Sequence, residues 1–496
     1  MIVDAAVWMG VDLGTQSVKV TAVDDTGRAL ARADAALHSD RAGRIHEQDP
    51  HEWQRATADA VAAVVRRLGP ARRRIRGLSM CSTSGTIALL DDTGTVTGPG
   101  VMYDDARGEE AVEAVRAAGA DLWARLGYQP QASWPLCTLA WWARRGALAD
   151  VRVVMQGDVV AAQMCGHPVP TDWTSALKLG YDTQTLGWSH GTLSALEISP
   201  DRLPDVVAPG TQVGSTSSHW ESATGMPAGV PVFAGLTDGC AAQLASGAMA
   251  QGDWHTVLGT TLVFKGVSPR PVSDAAGAVY SHRSPDAGLW LPGGASSVGA
   301  GVLSTQVSAS TELDALSAQA AALDPSSAAL CYPLSGVGER FPVIVPEATG
   351  FVRSDTGDLP LTSLTPGDPK TLLALYVGVG FVERLGLELL AANAGSAIEN
   401  LSCSGGGTRS GVWNRIRATI LDRPLAVVAA DGATGAAMLA AWAASDGDES
   451  LASATRRRAV APAMVTPDRR WRSGLEDRYG QFQQMLAGLG WTADPR

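Results

Sequence analysis

Ala6-Val7-Trp8-Met9-Gly10-Val11-Asp12-Leu13-Gly14-Thr15-Gln16-Ser17-Val18-Lys19-Val20-Thr21-Ala22-Val23 sets two apolar runs around a polar turn. Each run reads as a strand, with Gly14-Thr15-Gln16-Ser17 as the tight connection between them. Asp24-Asp25-Thr26-Gly27 supplies a second turn, so the chain is predicted to open with a β-meander. The first turn also carries chemistry. Glycine lets backbone N–H groups come close to a polyphosphate, Thr15, Gln16 and Ser17 add neutral donors, and Lys19 adds positive charge. Asp12 can hold Mg²⁺ directly or through water. An ordinary hairpin turn with polar residues accounts for the same letters equally well.

The pattern recurs about half a chain later. Trp254-His255-Thr256-Val257-Leu258, Gly259-Thr260-Thr261 and Leu262-Val263-Phe264-Lys265 again read as strand, Gly-Thr turn and strand ending in a lysine. So long a period indicates two like domains rather than a short-repeat solenoid. A chain of 496 residues is itself too long for one ordinary core. Two Gly-Thr hairpins facing each other could grip successive phosphates of one nucleotide, although a lone Gly-Thr-Thr reads as well as an inward-facing hairpin, and Lys265 as a strand-edge charge. Helical spacing of apolar residues predicts helices over 52–68, 370–392 and 412–421, and short strands are expected at 75–79, 87–90 and 401–404. Residues 101–230 read only as a mixture of helical stretches and loops containing Trp and Pro.

Four further stretches carry chemistry. Asp238 stands between the apolar Val230–Gly235 strand and an Ala-rich helical stretch ending at Gly247. A helix dipole and first-turn N–H groups would keep it ionised. An ionised carboxylate so placed can accept a proton from a hydroxyl during phosphoryl transfer, or it is a simple N-cap. Gly405-Gly406-Gly407, followed by Trp413, offers close backbone approach and an aromatic face to an adenosine, or else a flexible loop and a core Trp. Ser79–Thr86 and Met102–Arg107 concentrate hydroxyls, carboxylates and an arginine after short strands, which suits a polyhydroxylated ligand and also a solvated turn.

Composition narrows the field. With 39 basic and 50 acidic residues and a net charge of −11, the chain is not expected to bind nucleic acid. Lysine occurs only at 19, 178, 265 and 370. The six cysteines are scattered without metal-ligand spacing and suit a reducing compartment. No uninterrupted apolar stretch of membrane-spanning length and no basic leader is evident, so a soluble, cytoplasmic protein is expected. No GxxxxGK[ST] loop, HExxH motif or esterase elbow occurs.

In this order, Asp12–Lys19, Gly235-Leu-Thr-Asp-Gly-Cys-Ala-Ala-Gln-Leu-Ala-Ser-Gly247, Gly259-Thr260-Thr261 and Ser404-Gly-Gly-Gly-Thr-Arg-Ser-Gly-Val-Trp-Asn414 closely resemble the FGGY carbohydrate kinases. Gly43–Pro50 and Asp431–Ala437 also resemble family segments, so the match spans nearly the whole chain. The resemblance implies an α/β architecture of two actin-like ATPase, ribonuclease H-like domains with a cleft between them. The sugar-binding domain is expected at 1–235 and the nucleotide-binding domain at 236–496, with ATP at their interface. It further implies Asp238 as catalytic base and Asp12 beside it, both near the substrate and Mg²⁺. Thr15, Gln16, Ser17, Lys19, Gly259, Thr260 and Thr261 become the phosphate grip, and Gly406, Gly407 and Trp413 frame the adenosine.

The family's substrates include glycerol, pentuloses and hexuloses. Thr83-Ser84-Gly85-Thr86 stands where typical xylulokinases carry Met-His-Gly. With Met102–Arg107, Ala176–Asp182 and Gly338–Pro342, it resembles the subgroup associated with D-ribulose. Ser84 and Asp105 are then expected at the sugar, and the expected reaction is D-ribulose to D-ribulose 5-phosphate, with D-xylulose and L-ribulose as alternatives. From another class, an actin- or Hsp70-like ATPase acting on a protein partner shares the fold. A homodimer is left open.

Overall fold

The computed structural model describes residues 5–274, 277–286, 288–305, 310–445 and 447–491. Its contacts divide the chain into two compact units, Met1–Met249 with His282–Leu289 and Ala430–Val460, and Ala250–Ser281 with Trp290–Ala429 and Ala461–Arg496. A division at 235/236, as expected from sequence, would separate Asp238 from Asp12. The structure keeps both in the first unit, because Leu236–Thr237 pairs with that unit's sheet.

In the first unit the predicted meander forms as β1 (Val7–Leu13), β2 (Ser17–Asp24) and β3 (Ala29–Ala36). All three pair antiparallel in sequence order. A short strand β4 (Ile45–Gln48) then leads into helix α1 (Pro50–Leu68). The helix starts two residues earlier than the apolar period alone suggests, since Asp49 caps it and Pro50 occupies its first turn. Trp53, Ala56, Ala60, Val61, Val64, Val65 and Leu68 form its buried stripe. The chain returns as β5 (Ile75–Ser82), parallel to β1.

Residues 101–230 hold helices of four to ten residues and two-residue strand pairs, too short to show a period. Among them is α2 (Trp173–Ala176). Strands β6 (Gln212–Ser215), β7 (Pro231–Phe233) and β8 (Leu236–Thr237) complete the sheet, followed by α3 (Asp238–Ser246). Both β7 and β8 run parallel to β5.

The second unit repeats this plan. β9 (Asp253–Leu258) pairs antiparallel with β10 (Leu262–Gly266), β10 antiparallel with β11 (Trp290–Ser296), and β9 parallel with β12 (Asn400–Ser404). Lys265 is therefore on an interior strand and buried, not at a sheet edge. Helix α4 (Pro369–Ala394) runs 26 residues from an Asp368 cap to a left-handed Gly395. A buried ion pair pins it to α5 (Gly411–Ile420): Arg417 Nε and Nη2 each donate to a Glu383 oxygen at 2.6 Å. Among the described residues no helix is long and apolar enough to cross a membrane.

Candidate active site

Strand register brings the first unit's carboxylates together. On β5, Cys81 is paired with Asp12 of β1 on one side and Leu236 of β8 on the other. Ser82 is likewise flanked by Leu13 and Thr237. Three parallel strands thus end in line, where ligands of α/β sheets bind. Asp238, the next residue, is the first of α3. It is not the cap, a position held by Thr237, and it is exposed, with Oδ1 accepting the Gly239 N–H at 2.7 Å. Below it, Thr237 N–H donates to Thr174 Oγ1 at 3.0 Å, and that hydroxyl donates to buried Asp172 at 2.5 Å.

Asp12 is half-buried, and its pKa is pushed up to about 6, first by burial and then by the charge of Asp238, while Lys19 opposes the shift. The Cys81 thiol lies 3.5 Å from Asp12 Oδ1, and burial holds its own pKa far up. The helix Gly432–Ala443 packs directly on β1. A Cβ at Gly10 would stand 1.8 Å from the Ala433 carbonyl, and one at Gly432 would stand 2.9 Å from Asp12 Cγ. Its cap, Asp431, which accepts from Thr434 N and Oγ1, adds a further negative charge near Asp12. The sequence signal for it is an Asp-Gly before an Ala-rich run at 431–437, repeating the one at 238–245.

In the Gly14–Ser17 turn the carbonyls of Thr15, Gln16 and Ser17 are tied back into the protein. Ser17 O accepts from Gly14 N at 3.2 Å, Gln16 O from Leu37 N at 2.9 Å, and Thr15 O from Gln48 Nε2 at 2.6 Å. The N–H groups of Thr15 and Gln16 have no acceptor among the described residues. In the second unit, Thr261 O accepts from Gly259 N at 3.0 Å, Gly259 O from Ala300 N at 2.7 Å and Thr260 O from Gly301 N at 3.1 Å. There too the N–H groups of Thr260 and Thr261 have no acceptor among the described residues. Each turn thus presents two adjacent N–H groups, an arrangement able to take an anion. Lys19 is exposed on β2, directly opposite Asp12.

Around the Ser79–Thr86 loop, Ser84 Oγ is buried and has no hydrogen-bond partner among the described residues, as is the case for Gln156 Nε2 and His46 Nε2. Lys178 donates to the Ser84 carbonyl at 2.8 Å, and Gln156 Oε1 accepts from Thr83 Oγ1 at 2.8 Å. Sequence reading missed Lys178 and Gln156 as neighbours of this loop, because only tertiary packing brings them to it.

Two expected ligand contacts are committed elsewhere. Asp105 is 1% exposed. Its oxygens are taken by Arg107, at 2.9 and 2.7 Å, and by the His46 backbone N–H at 2.8 Å, so it braces the loop instead of facing a sugar. Trp413 is fully buried, stacked on Tyr376 with centroids 4.4 Å apart, and its indole N–H donates to the Tyr376 carbonyl at 3.1 Å. It is a core residue. Gly407 packs on Leu258 and Trp413, whereas a Cβ at Gly406 would meet nothing within 4 Å. Of the triple glycine, Gly406 is the member that leaves room.

Residues 7–245 match the N-terminal domain, and residues 255–444 the C-terminal domain, of the FGGY family of carbohydrate kinases. The chain belongs to that family, and it is a sugar kinase, a phosphotransferase of the actin-like ATPase fold. It is 27% identical over 457 residues to a xylulose kinase of Streptomyces rubiginosus, covering 87% of each chain. It is 25% identical over 426 residues to a xylulose kinase of Escherichia coli, covering 84% of this chain and 85% of that one. Among solved structures, one described as a xyloylose kinase from Brucella ovis superposes with a TM-score of 0.86 at 23% identity, covering 98% and 99% of the two chains. The reading as an ATPase acting on a protein partner falls away with family membership.

Proposed function

We propose that the protein transfers the γ-phosphoryl group of ATP to the terminal C5 hydroxyl of a ketopentose, with D-ribulose as the preferred acceptor. What supports this reading is that the first unit carries carboxylates at its strand ends, and that each unit carries a Gly-Thr turn with carbonyls held by the protein and with N–H groups that have no acceptor among the described residues. Phosphoryl transfer asks little covalent work of a protein and much positioning and charge stabilisation. In this mechanism Asp238 accepts the hydroxyl proton as the sugar oxygen bonds to phosphorus and the bond from phosphorus to the leaving ADP oxygen breaks. Thr15, Gln16, Ser17 and Lys19 take phosphate in the first unit, Gly259, Thr260 and Thr261 do so in the second, and Gly406 leaves room for the adenosine.

Among the described residues no group of three or more His, Cys, Asp or Glu side chains is arranged to hold a metal ion. Mg²⁺ keeps several waters and commonly uses one or two carboxylates plus substrate phosphates, and Asp12, with Asp238 near, fits that role. When bound, the ion would neutralise charge on the phosphates.

Ser84 supports D-ribulose: it lies in the loop that differs from typical xylulokinases, and its buried hydroxyl has no partner among the described residues, as a group reserved for a ligand would. D-Xylulose is the second reading, favoured by the names of the relatives. A coupled ADP-release assay with Mg·ATP over ketopentoses, hexuloses and polyols tests both. The highest kcat/KM on D-ribulose supports the first reading, and the highest on glycerol or a hexulose rejects both.

A further inference from the structure

We infer that Gln48, backed by Trp53, is a positioning residue for nucleotide phosphate, acting by aiming the Gln16 backbone N–H; this rests on the phosphate-binding reading of the Gly14–Ser17 turn. Gln48 lies at the end of β4, 2% exposed, outside the turn in sequence and distant from every motif that reads as phosphate-binding. Its amide makes three hydrogen bonds. Oε1 accepts from Trp53 Nε1 at 2.8 Å, and Nε2 donates to Thr15 O at 2.6 Å and to Ser39 Oγ at 2.8 Å.

The orientation of that amide is chemically forced. An indole N–H can only donate, so the end facing Trp53 must be the oxygen, and the NH₂ end must face the Thr15 carbonyl. The consequence passes through one peptide plane. In a trans peptide the C=O of Thr15 and the N–H of Gln16 point in opposite directions, so a carbonyl held inward turns the Gln16 N–H outward. Gln16 is exposed, and its N–H has no acceptor among the described residues.

Comparison with the second unit isolates what Gln48 adds. There all three turn carbonyls are held by backbone N–H groups of Gly259, Ala300 and Gly301. In the first unit the Gln16 and Ser17 carbonyls are held by the backbone, and Thr15 O, the counterpart of Thr260 O, by the Gln48 side chain. The first cradle therefore depends on a side chain at the position where the second relies on the main chain. Without that tie the Thr15 carbonyl is able to rotate toward a bound phosphate, exchanging a donor for a repelling acceptor.

The test measures Mg·ADP binding by calorimetry, together with KM for ATP and for the sugar, on the full chain and on Gln48→Met, Gln48→Glu and Trp53→Phe. Gln48→Met is expected to weaken ADP binding and raise the ATP KM by about tenfold, the scale of one lost hydrogen bond to a charged group. The sugar KM should stay within about twofold, a split that general loosening would not produce. Trp53→Phe, which frees the amide to flip, should shift the same two nucleotide constants by a smaller factor. A folded Gln48→Met with wild-type ADP affinity, or with equal rises in both KM values, overturns the inference and leaves the kinase reading standing. If Gln48→Met does not fold, the isosteric Gln48→Glu decides, and unchanged ADP affinity there overturns the inference as well. A wild-type protein that binds no Mg·ADP overturns the kinase reading and this inference with it.

Discussion

Asp12 and Lys19 stand directly opposite each other across the β1–β2 ladder, one pair in from the Gly14–Ser17 turn. Directly opposed side chains of an antiparallel pair share a face. The ammonium of Lys19 therefore pulls the Asp12 pKa down, against the upward push of burial and of Asp238, and the balance lies at about 6. Ionised Asp12 is the form that can serve Mg²⁺, so kcat/KM should rise with pH along an acid limb near that value. Lys19→Met removes the opposing charge and should move the limb to higher pH. A pH–rate profile of both proteins checks this, and coincident limbs would remove Asp12 from the essential groups.

Asp238 begins α3 with its carboxylate exposed and accepting the adjacent Gly239 N–H. Asp238→Asn keeps that contact and the shape but cannot take up the hydroxyl proton. Turnover should fall by roughly 10²- to 10⁴-fold, the usual contribution of a general base, while Mg·ADP affinity stays near wild type. Near-normal sugar phosphorylation by the variant would remove Asp238 from the chemistry.

Ser84→Ala deletes a buried hydroxyl that has no partner among the described residues, so the unliganded fold loses none of the hydrogen bonds seen there. Its effect should appear in the sugar KM, raised by about three- to tenfold for one hydrogen bond, with the ATP KM little changed. Thermal melting should be unaffected. Matching increases in the two KM values would place Ser84 outside the sugar pocket.

Asp158 is half-buried near Asp172, and its pKa is pushed up to about 7, chiefly by desolvation and then by that neighbour's charge. Because the folded pKa lies above the unfolded one, the folded state holds the extra proton between about pH 4 and 7. Stability must therefore fall as pH rises through that window, and the full cost is present above it. Asp158→Asn can keep the acceptor for the Met155 N–H, which Asp158 now meets at 3.2 Å, without the charge. It should gain on the order of 2–3 kcal/mol at pH 8 and nothing near pH 4. Urea melts at the two pH values decide it, and an equal gain at both would show that the effect is not protonation.

Much of this is legible in the sequence because it is local. Strand, Gly-Thr turn and strand are written in consecutive residues, so both hairpins and their duplication can be read directly from the order of the amino acids. The long amphipathic and apolar helices α1 and α4 are visible for the same reason, with their Asp-Pro caps sharpening the ends. Local reading fails for residues whose fate is decided by tertiary partners. Asp105 looks like a ligand carboxylate until Arg107 and His46 claim both oxygens, and Trp413 looks like a nucleotide platform until Tyr376 stacks on it. Gln156 and Thr174 give no signal, and Gln48 shows only as part of the Gly43–Pro50 segment with no hint of its role, since each acts on a carbonyl, amide or hydroxyl far away in sequence.

The Glu383–Arg417 pair offers a test of what holds the second unit's cradle in place. Arg417 donates to both Glu383 oxygens, and Thr256 Oγ1 on β9, the strand leading to the Gly259 turn, donates to Glu383 Oε1 at 2.7 Å. Both charged side chains are fully buried. Removing one partner strands the other charge out of water, so Glu383→Gln or Arg417→Met should each cost about 3–5 kcal/mol. The double replacement Glu383→Leu with Arg417→Met leaves no buried charge and should recover most of that loss. Yet it also removes the acceptor for Thr256, so ATP affinity should recover less completely than stability does. Denaturant melts and ADP calorimetry on the three variants separate the two effects, and a double variant no more stable than the single ones would contradict the account.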